Sequence, residues 1–263
     1  MTKQIMRQTV LLLLILAWGS SIAQVSPVAS LVYNWNNLTV IKEETRDRRQ
    51  MIDGSTLDLS SLEIHTSTLE PGKAPHASHT HIDEEELIIV KDGKLKATIK
   101  DQTRILGPGS VALAIPGEEH GFFNGGETRT TYYILKFKSR SPLNAERGKN
   151  AGGSFMIDWN DMAIVSNEKG GRRNTFDKAT SMFSRFEMHV TTLNKGLVSH
   201  APHQHKAEEI IILIKGKAEM QIGDTHSKME PGDLVFLESQ VLHALKNIGD
   251  EPCEYFAFQW QLN

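Results

Sequence analysis

Two short stretches hold the residues best suited to chemistry: "HASHTH", His76 to His81, and "HAPHQH", His200 to His205, which share one histidine spacing. In each, two histidines occupy alternate positions, His79 and His81 or His203 and His205. Alternate side chains of a strand point to one face, so each pair can reach a single ion. Glu86 or Glu209 follows a few residues later, and His120 or His243 stands eleven positions beyond Gly109 or Gly232. Three imidazole nitrogens and one carboxylate oxygen would leave two positions of an octahedral ion for water or substrate. The competing reading is a set of interior polar groups that hydrogen-bond one another. Burying three imidazoles and a carboxylate without an ion is costly, and the pattern occurs twice, so metal binding is preferred.

Other residues surround this set. His76 and His200 precede the histidine pairs and are candidate proton donors or acceptors, because imidazole titrates near neutrality; the alternative is a plain loop histidine. His65 and His189 share a strand face with Glu63 and Glu187 and either line the cavity or face solvent. Glu85 and Glu208 alternate with the inward glutamates and are expected to carry solvent-facing charge, unless the register shifts by one. The pairs Arg48-Arg49 and Arg172-Arg173 could hold a substrate carboxylate or phosphate, but ion pairing with Asp53 and Asp177 is the preferred reading. Trp35 and Trp159 read as anchors against the core, and Tyr132 and Tyr255 as cavity or interface residues.

The doubling extends far beyond these motifs. Displaced by 124 positions, Trp35 falls on Trp159, "LEIHTSTL" on "FEMHVTTL", and His76, His79 and His81 on His200, His203 and His205. After a one-residue slip the register holds at 123, with Glu86 on Glu209, Gly93 on Gly216, His120 on His243, Asn124 on Asn247 and Tyr132 on Tyr255. The chain is two copies of one domain-sized unit. Short apolar runs such as "ELIIV" and "EEIIILI", separated by glycine turns, predict strands with no amphipathic helix in either repeat core. At most a turn or two of helix is expected over residues 141–149.

The 263 residues, 39% hydrophobic and 23% charged with a net charge of −3, allow a substantial core and give no basic field for nucleic acid. Residues 1–23 read as a secretory signal, with Lys3 and Arg7 before an apolar run and Ser21-Ile22-Ala23 at the cleavage positions. A periplasmic or extracellular location follows, with no membrane contact after cleavage. The lone Cys253 has no internal disulfide partner and is expected buried. Residues 24–140 form the first domain, 141–155 a polar linker and 156–263 the second domain.

The spacing from His79 and His203 through His120 and His243 resembles the two sequence motifs of the cupin superfamily, and the tandem copies resemble a bicupin. Two departures touch turns and not ligands: Pro116 lies one place late before Gly117, and "LESQVLH" lacks the usual proline and glycine. The resemblance implies an all-β fold of two jelly-roll (double-stranded β-helix) barrels. It also implies a divalent transition metal (manganese, iron, zinc, nickel or copper) in each, held by His79, His81, Glu86 and His120 or by His203, His205, Glu209 and His243. The function expected is an enzyme acting on a small oxygen-rich substrate, a sugar acid or carboxylate, by isomerisation, elimination or decarboxylation. An iron-dependent dioxygenase and a non-catalytic metal-dependent binding or storage bicupin are the alternatives. Edge strands also offer pairing into a homodimer.

Overall fold

The structure, a computed structural model, describes residues 26–262; the expected signal segment lies outside them. The first copy contributes β1 (Leu31–Tyr33), β2 (Ile41–Lys42), β3 (Arg46–Gly54), β4 (Leu59–Leu69), β5 (Glu85–Asp92), β6 (Leu95–Ile99), β7 (Gln102–Leu106), β8 (Val111–Ala114), β9 (His120–Phe123) and β10 (Thr130–Ser139). A single helical turn and a half, α1 (Ala145–Asn150), occupies the linker. The second copy follows with β11 (Phe155–Ile157), β12 (Ile164–Asn167), β13 (Gly170–Lys178), β14 (Arg185–Leu193), β15 (Glu209–Lys215), β16 (Ala218–Ile222), β17 (Thr225–Met229), β18 (Leu234–Leu237), β19 (His243–Asn247) and β20 (Cys253–Gln261).

Each half pairs a large sheet with a small one. The first has the order β11-β8-β5-β10-β4-β3-β2 with β7-β6-β9, and the second β1-β18-β15-β20-β14-β13-β12 with β17-β16-β19. The halves therefore exchange a strand, β1 joining the second sheet and β11 the first. The boundaries of the repeat are consequently not those of the sheets. The exchange seats each tryptophan on the opposite half: a Cβ on Gly109 would lie 2.2 Å from the Trp159 ring, and one on Gly232 would lie 2.9 Å from Trp35. Both glycines also have positive φ, 83° and 108°, so two constraints exclude a side chain there. Arg49 and Arg173 cover the outer faces of these rings, 4.6 and 4.5 Å from the centroids, which confirms the anchor reading.

The apolar runs are continuous because the central strands are buried on both faces. Leu87 and Ile89 of β5, Leu135 and Phe137 of β10, Ile210 and Ile212 of β15 and Phe256 and Phe258 of β20 share one core at the seam between the large sheets. Their neighbours Ile88, Val90 and Ile134 fill the first barrel, and Ile211, Leu213 and Ala257 the second. Phe137 touches Phe183, Phe186 and Trp260 of the other half at centroid distances of 5.8, 5.5 and 5.6 Å. Cys253 is a buried free thiol, as expected.

The same alternation overturns the expectation for Glu85 and Glu208. Both are fully buried at the seam, because the face opposite the barrel interior packs on the other half and not on water. Glu85 accepts the Met182 N–H at 3.0 Å. Glu208 accepts the Thr56 hydroxyl at 2.6 Å and the Leu57 N–H at 2.9 Å, so each carboxyl fastens a loop of the opposite copy. Burial, only partly offset by hydrogen bonds from the 180–182 loop, pushes the Glu85 carboxyl up to about 7.

The missing glycine in "LESQVLH" leaves the turn intact. Gln240 adopts φ 63° where Gly117 has 86°, and its N–H reaches the His205 carbonyl at 2.7 Å, matching Gly117 to His81 at 2.8 Å.

Two outcomes follow. Left-handed backbone costs a non-glycine residue about 1–2 kcal/mol, partly balanced by the flexibility glycine adds to the unfolded chain. Urea unfolding of Gln240→Gly should therefore show a gain of roughly 0.5–1 kcal/mol. Glu85 binds its proton more tightly in the folded state, so its contribution is full at low pH and is lost as pH rises from about 4.5 through about 7. Glu85→Gln keeps the acceptor without the charge; its stability relative to wild type should climb by up to about 3 kcal/mol between pH 4.5 and 8, whereas a flat difference would contradict the buried carboxyl.

Candidate metal centres

Three local features carry the first cluster: the loop before β5, the start of β5, and β9. His79 and His120 are locked by reciprocal backbone hydrogen bonds of 2.9 Å each, which places both rings at one end of the barrel. Glu86 is the first inward residue of β5, paired between Ala114 and Lys136. Ligand atoms of His79, His81, Glu86 and His120 all lie within 4.8 Å of one another. The second half repeats the arrangement with His203, His205 and His243, and Glu209 Oε2 lies 3.2 Å from His205 Nε2 and 3.3 Å from His243 Nε2. The first four expected side chains thus converge on one point, while in the second half the three histidines do so and Glu209 lies against two of them.

The outer ring nitrogens show what these groups suit. Nδ1 of His120 faces the Glu118 carbonyl at 3.1 Å, Nδ1 of His243 the Val241 carbonyl at 2.9 Å, and Nδ1 of His205 the Ala207 carbonyl at 2.9 Å. A carbonyl only accepts, so each Nδ1 carries a proton and each Nε2 points inward, where the neutral ring offers it to an ion. His79 Nε2 and His81 Nε2 meet at 2.9 Å, and His120 Nε2 is buried with no hydrogen bond. Converging ring nitrogens around a carboxylate fit a cation.

Electrostatics follow the same geometry. Burial and the adjoining imidazoles push His79 down to about 4, while hydrogen bonds to Glu84 and Glu86 push His81 up to about 9. Burial alone would raise Glu209, but His205 and His243 hold it down at about 2.

The other candidates fall in distinct places. His76 and His200 stack edge-on against the pairs, 4.4 Å from His79 and 3.9 Å from His203 between centroids. His200 lines a cavity of about 540 Å³ in the second half together with His203, His205, Glu209 and His243. In the first half Glu86 and His76 line a cavity of only about 220 Å³. His65 and His189 belong to these cavity walls and not to an outward face. Each sits beside a glutamate held by an arginine: Arg48 lies 2.7 Å from Glu63 and His65 3.0 Å from it, while Arg172 and His189 lie 2.7 and 2.8 Å from Glu187. The arginine partners are thus Glu63 and Glu187 instead of Asp53 and Asp177; Asp177 pairs with Arg185 at 2.7 Å. The sheet explains this, since residues two apart on one strand share a face with those opposite, and Arg172 pairs with Thr191 near Glu187 and His189. Tyr132 and Tyr255 line the cavities.

Residue-type spacing missed Glu84, whose Oε1 lies 2.8 Å from His81 Nδ1 and 3.3 Å from Lys136 Nζ. Its only trace in the sequence is the slip of register between the copies.

Two stretches, residues 65–135 and 189–258, match the family Cupin_2, described as the cupin domain. No curated protein matches the chain. Among solved structures, the oxalate decarboxylase–formate complex of Lactobacillus farciminis superposes with a TM-score of 0.69 at 14% identity, over 90% of this chain and 87% of that one. AerE from Microcystis aeruginosa gives 0.66 at 19%, over 85% and 96%, and protein Ylba from E. coli 0.67 at 14%, over 87% and 89%. At such identities the likeness is one of fold. The family matches cover both copies and more than half of the chain, one on each barrel with its cluster of histidines, and the protein belongs to the cupin family as a bicupin.

Proposed function

We propose that this bicupin is an exported, metal-dependent enzyme acting on a small carboxylate or sugar acid by isomerisation, elimination or decarboxylation. The observation that carries the reading is the second half's His203–His205–His243 cluster, with Glu209 against His205 and His243, at the wall of an open cavity of about 540 Å³, within the range of small-molecule sites. A storage or purely structural role would be better served by a barrel plugged with side chains. Oxalate decarboxylases among the fold neighbours, named for a carboxylate substrate, support that class.

A divalent ion bound by these four residues would supply Lewis-acid polarisation of a substrate oxygen. The chain supplies the rest. His200 gives its Nδ1–H to the Ala201 carbonyl at 3.2 Å, which leaves Nε2 to take or return a proton. His189 is fixed in the same tautomer by Glu187, so its Nε2 can accept a substrate hydroxyl from the neighbouring wall. Burial pushes the Tyr255 phenol up to about 12, which keeps it a hydrogen-bonding group and not a base at neutral pH. Gln259 and Thr191 add neutral polar contacts suited to hydroxyl groups. Ile164 and Val165 of edge strand β12 are exposed and support pairing into a homodimer.

The test is turnover of a panel of sugar acids and small carboxylates, followed by NMR with manganese, iron or zinc restored to chelated protein. Activity should appear only with metal and fall at least about 100-fold in His243→Ala, and His200→Gln should cost about 10²–10⁴-fold in kcat with metal content unchanged. Oxygen consumption accompanying turnover would point to the dioxygenase instead, and full activity after chelation would sink the metal-dependent reading.

A further inference from the structure

The two copies keep one register through their paired histidines and another from the glutamate onward, because one more residue separates His81 from Glu86 than His205 from Glu209. The longer loop brings the Glu84 carboxylate to 2.8 Å from His81 Nδ1. In the shorter loop the equivalent nitrogen of His205 meets only the Ala207 carbonyl, at 2.9 Å. Two lysines of β10 hold the longer loop, Lys136 at 3.3 Å from Glu84 and Lys138 paired with Asp83; the matching positions of β20 are Gln259 and Gln261. A carboxylate behind a ligating imidazole makes the ring more basic and fixes its orientation, and losing such a partner typically costs about 10–100-fold in metal affinity.

The surroundings differ in the same direction. Ile134 faces the first barrel where Ala257 faces the second, and the cavities measure about 220 and 540 Å³. The His81 and Glu86 side chains are 16% and 5% exposed, against 27% and 13% for His205 and Glu209, so solvent and substrate reach the second cluster more easily.

We propose that the two centres have divided their work: the Glu84-backed centre of the first half retains its ion as a structural element, and the second is where substrate meets metal. The inference rests on the metal reading above. Glu84 acts through His81 and is a positioning residue for the first ion.

The experiment uses the full-length protein loaded with zinc and titrated with a colorimetric chelator. Two classes of site should emerge, at least about tenfold apart. His120→Ala should delete the tight class and His243→Ala the weak one. Glu84→Gln keeps an acceptor without charge and should weaken only the tight class, by about 10–100-fold, with Lys136→Gln giving a smaller loss. With manganese in place of zinc, the enhancement of water proton relaxation should fall in His243→Ala far more than in His120→Ala. Two zinc sites of equal affinity in the wild type, a tight class removed by His243→Ala, or Glu84→Gln without effect would each overturn the division while leaving metal binding intact. Failure to take up zinc would defeat both this inference and the reading beneath it.

Discussion

Burial of the two large sheets against each other is the constraint from which the site geometry follows. A strand with water on one face can tolerate a slip of register at the cost of exposing some apolar surface, but β5 and β15 have packed side chains on both faces. A one-residue slip there would drive Leu87, Ile89, Ile210 and Ile212 out of the seam and into the barrels, and carry the inward glutamates to the seam. The positions of Glu86 and Glu209 are therefore set by the aliphatic residues that follow them. Seam packing far from the clusters decides which carboxylate meets the histidines.

The histidines are set by a second device, the backbone. His79 and His120 exchange hydrogen bonds with each other, as do His203 and His243, so the loop carrying each pair is stitched to the strand carrying the third ring. Carbonyl acceptors behind His120, His205 and His243 then select the tautomer. Bringing such ring nitrogens together is unfavourable unless something positive lies among them, and the folding free energy of the seam and barrel cores holds them there. The strain is local, while the stabilisation is spread over both cores.

Much of this was legible in the sequence. The repeat, the strand-and-turn rhythm, the two clusters of histidines and the buried thiol were read from spacing and alternation, because period two and offset 124 leave direct marks on the order of residues. The seam was not legible in that way. Alternation says that Glu85 faces away from the barrel but not what lies there, and only the back-to-back packing of the sheets turns an outward charge into a buried clasp on Met182. The exchange of β1 and β11 was hidden for a related reason: Trp35 and Trp159 keep their places in the repeat whichever half they pack on. Arginine partners were misjudged because the repeat of Asp53 and Asp177 in both copies suggested pairing, whereas the long Arg48 side chain reaches along the sheet face to Glu63 on the neighbouring strand.

Reciprocity across the seam bears on why two unequal centres can persist in one chain. Glu208 of the second half fastens the loop after Ser55, while Glu85 of the first fastens the loop before Phe183. Each half also completes the other's sheet with a strand and covers the other's turn glycine with a tryptophan. Removing either barrel would expose a continuous aromatic and aliphatic face and leave two buried carboxyls without their partners. Each half therefore supports the other's fold whatever its own cavity binds, and the interior of the first is narrowed by side chains such as Ile134 and Lys136. On the barrel-facing side Ile134 and Lys136 of the first half stand where Ala257 and Gln259 line the wider second cavity.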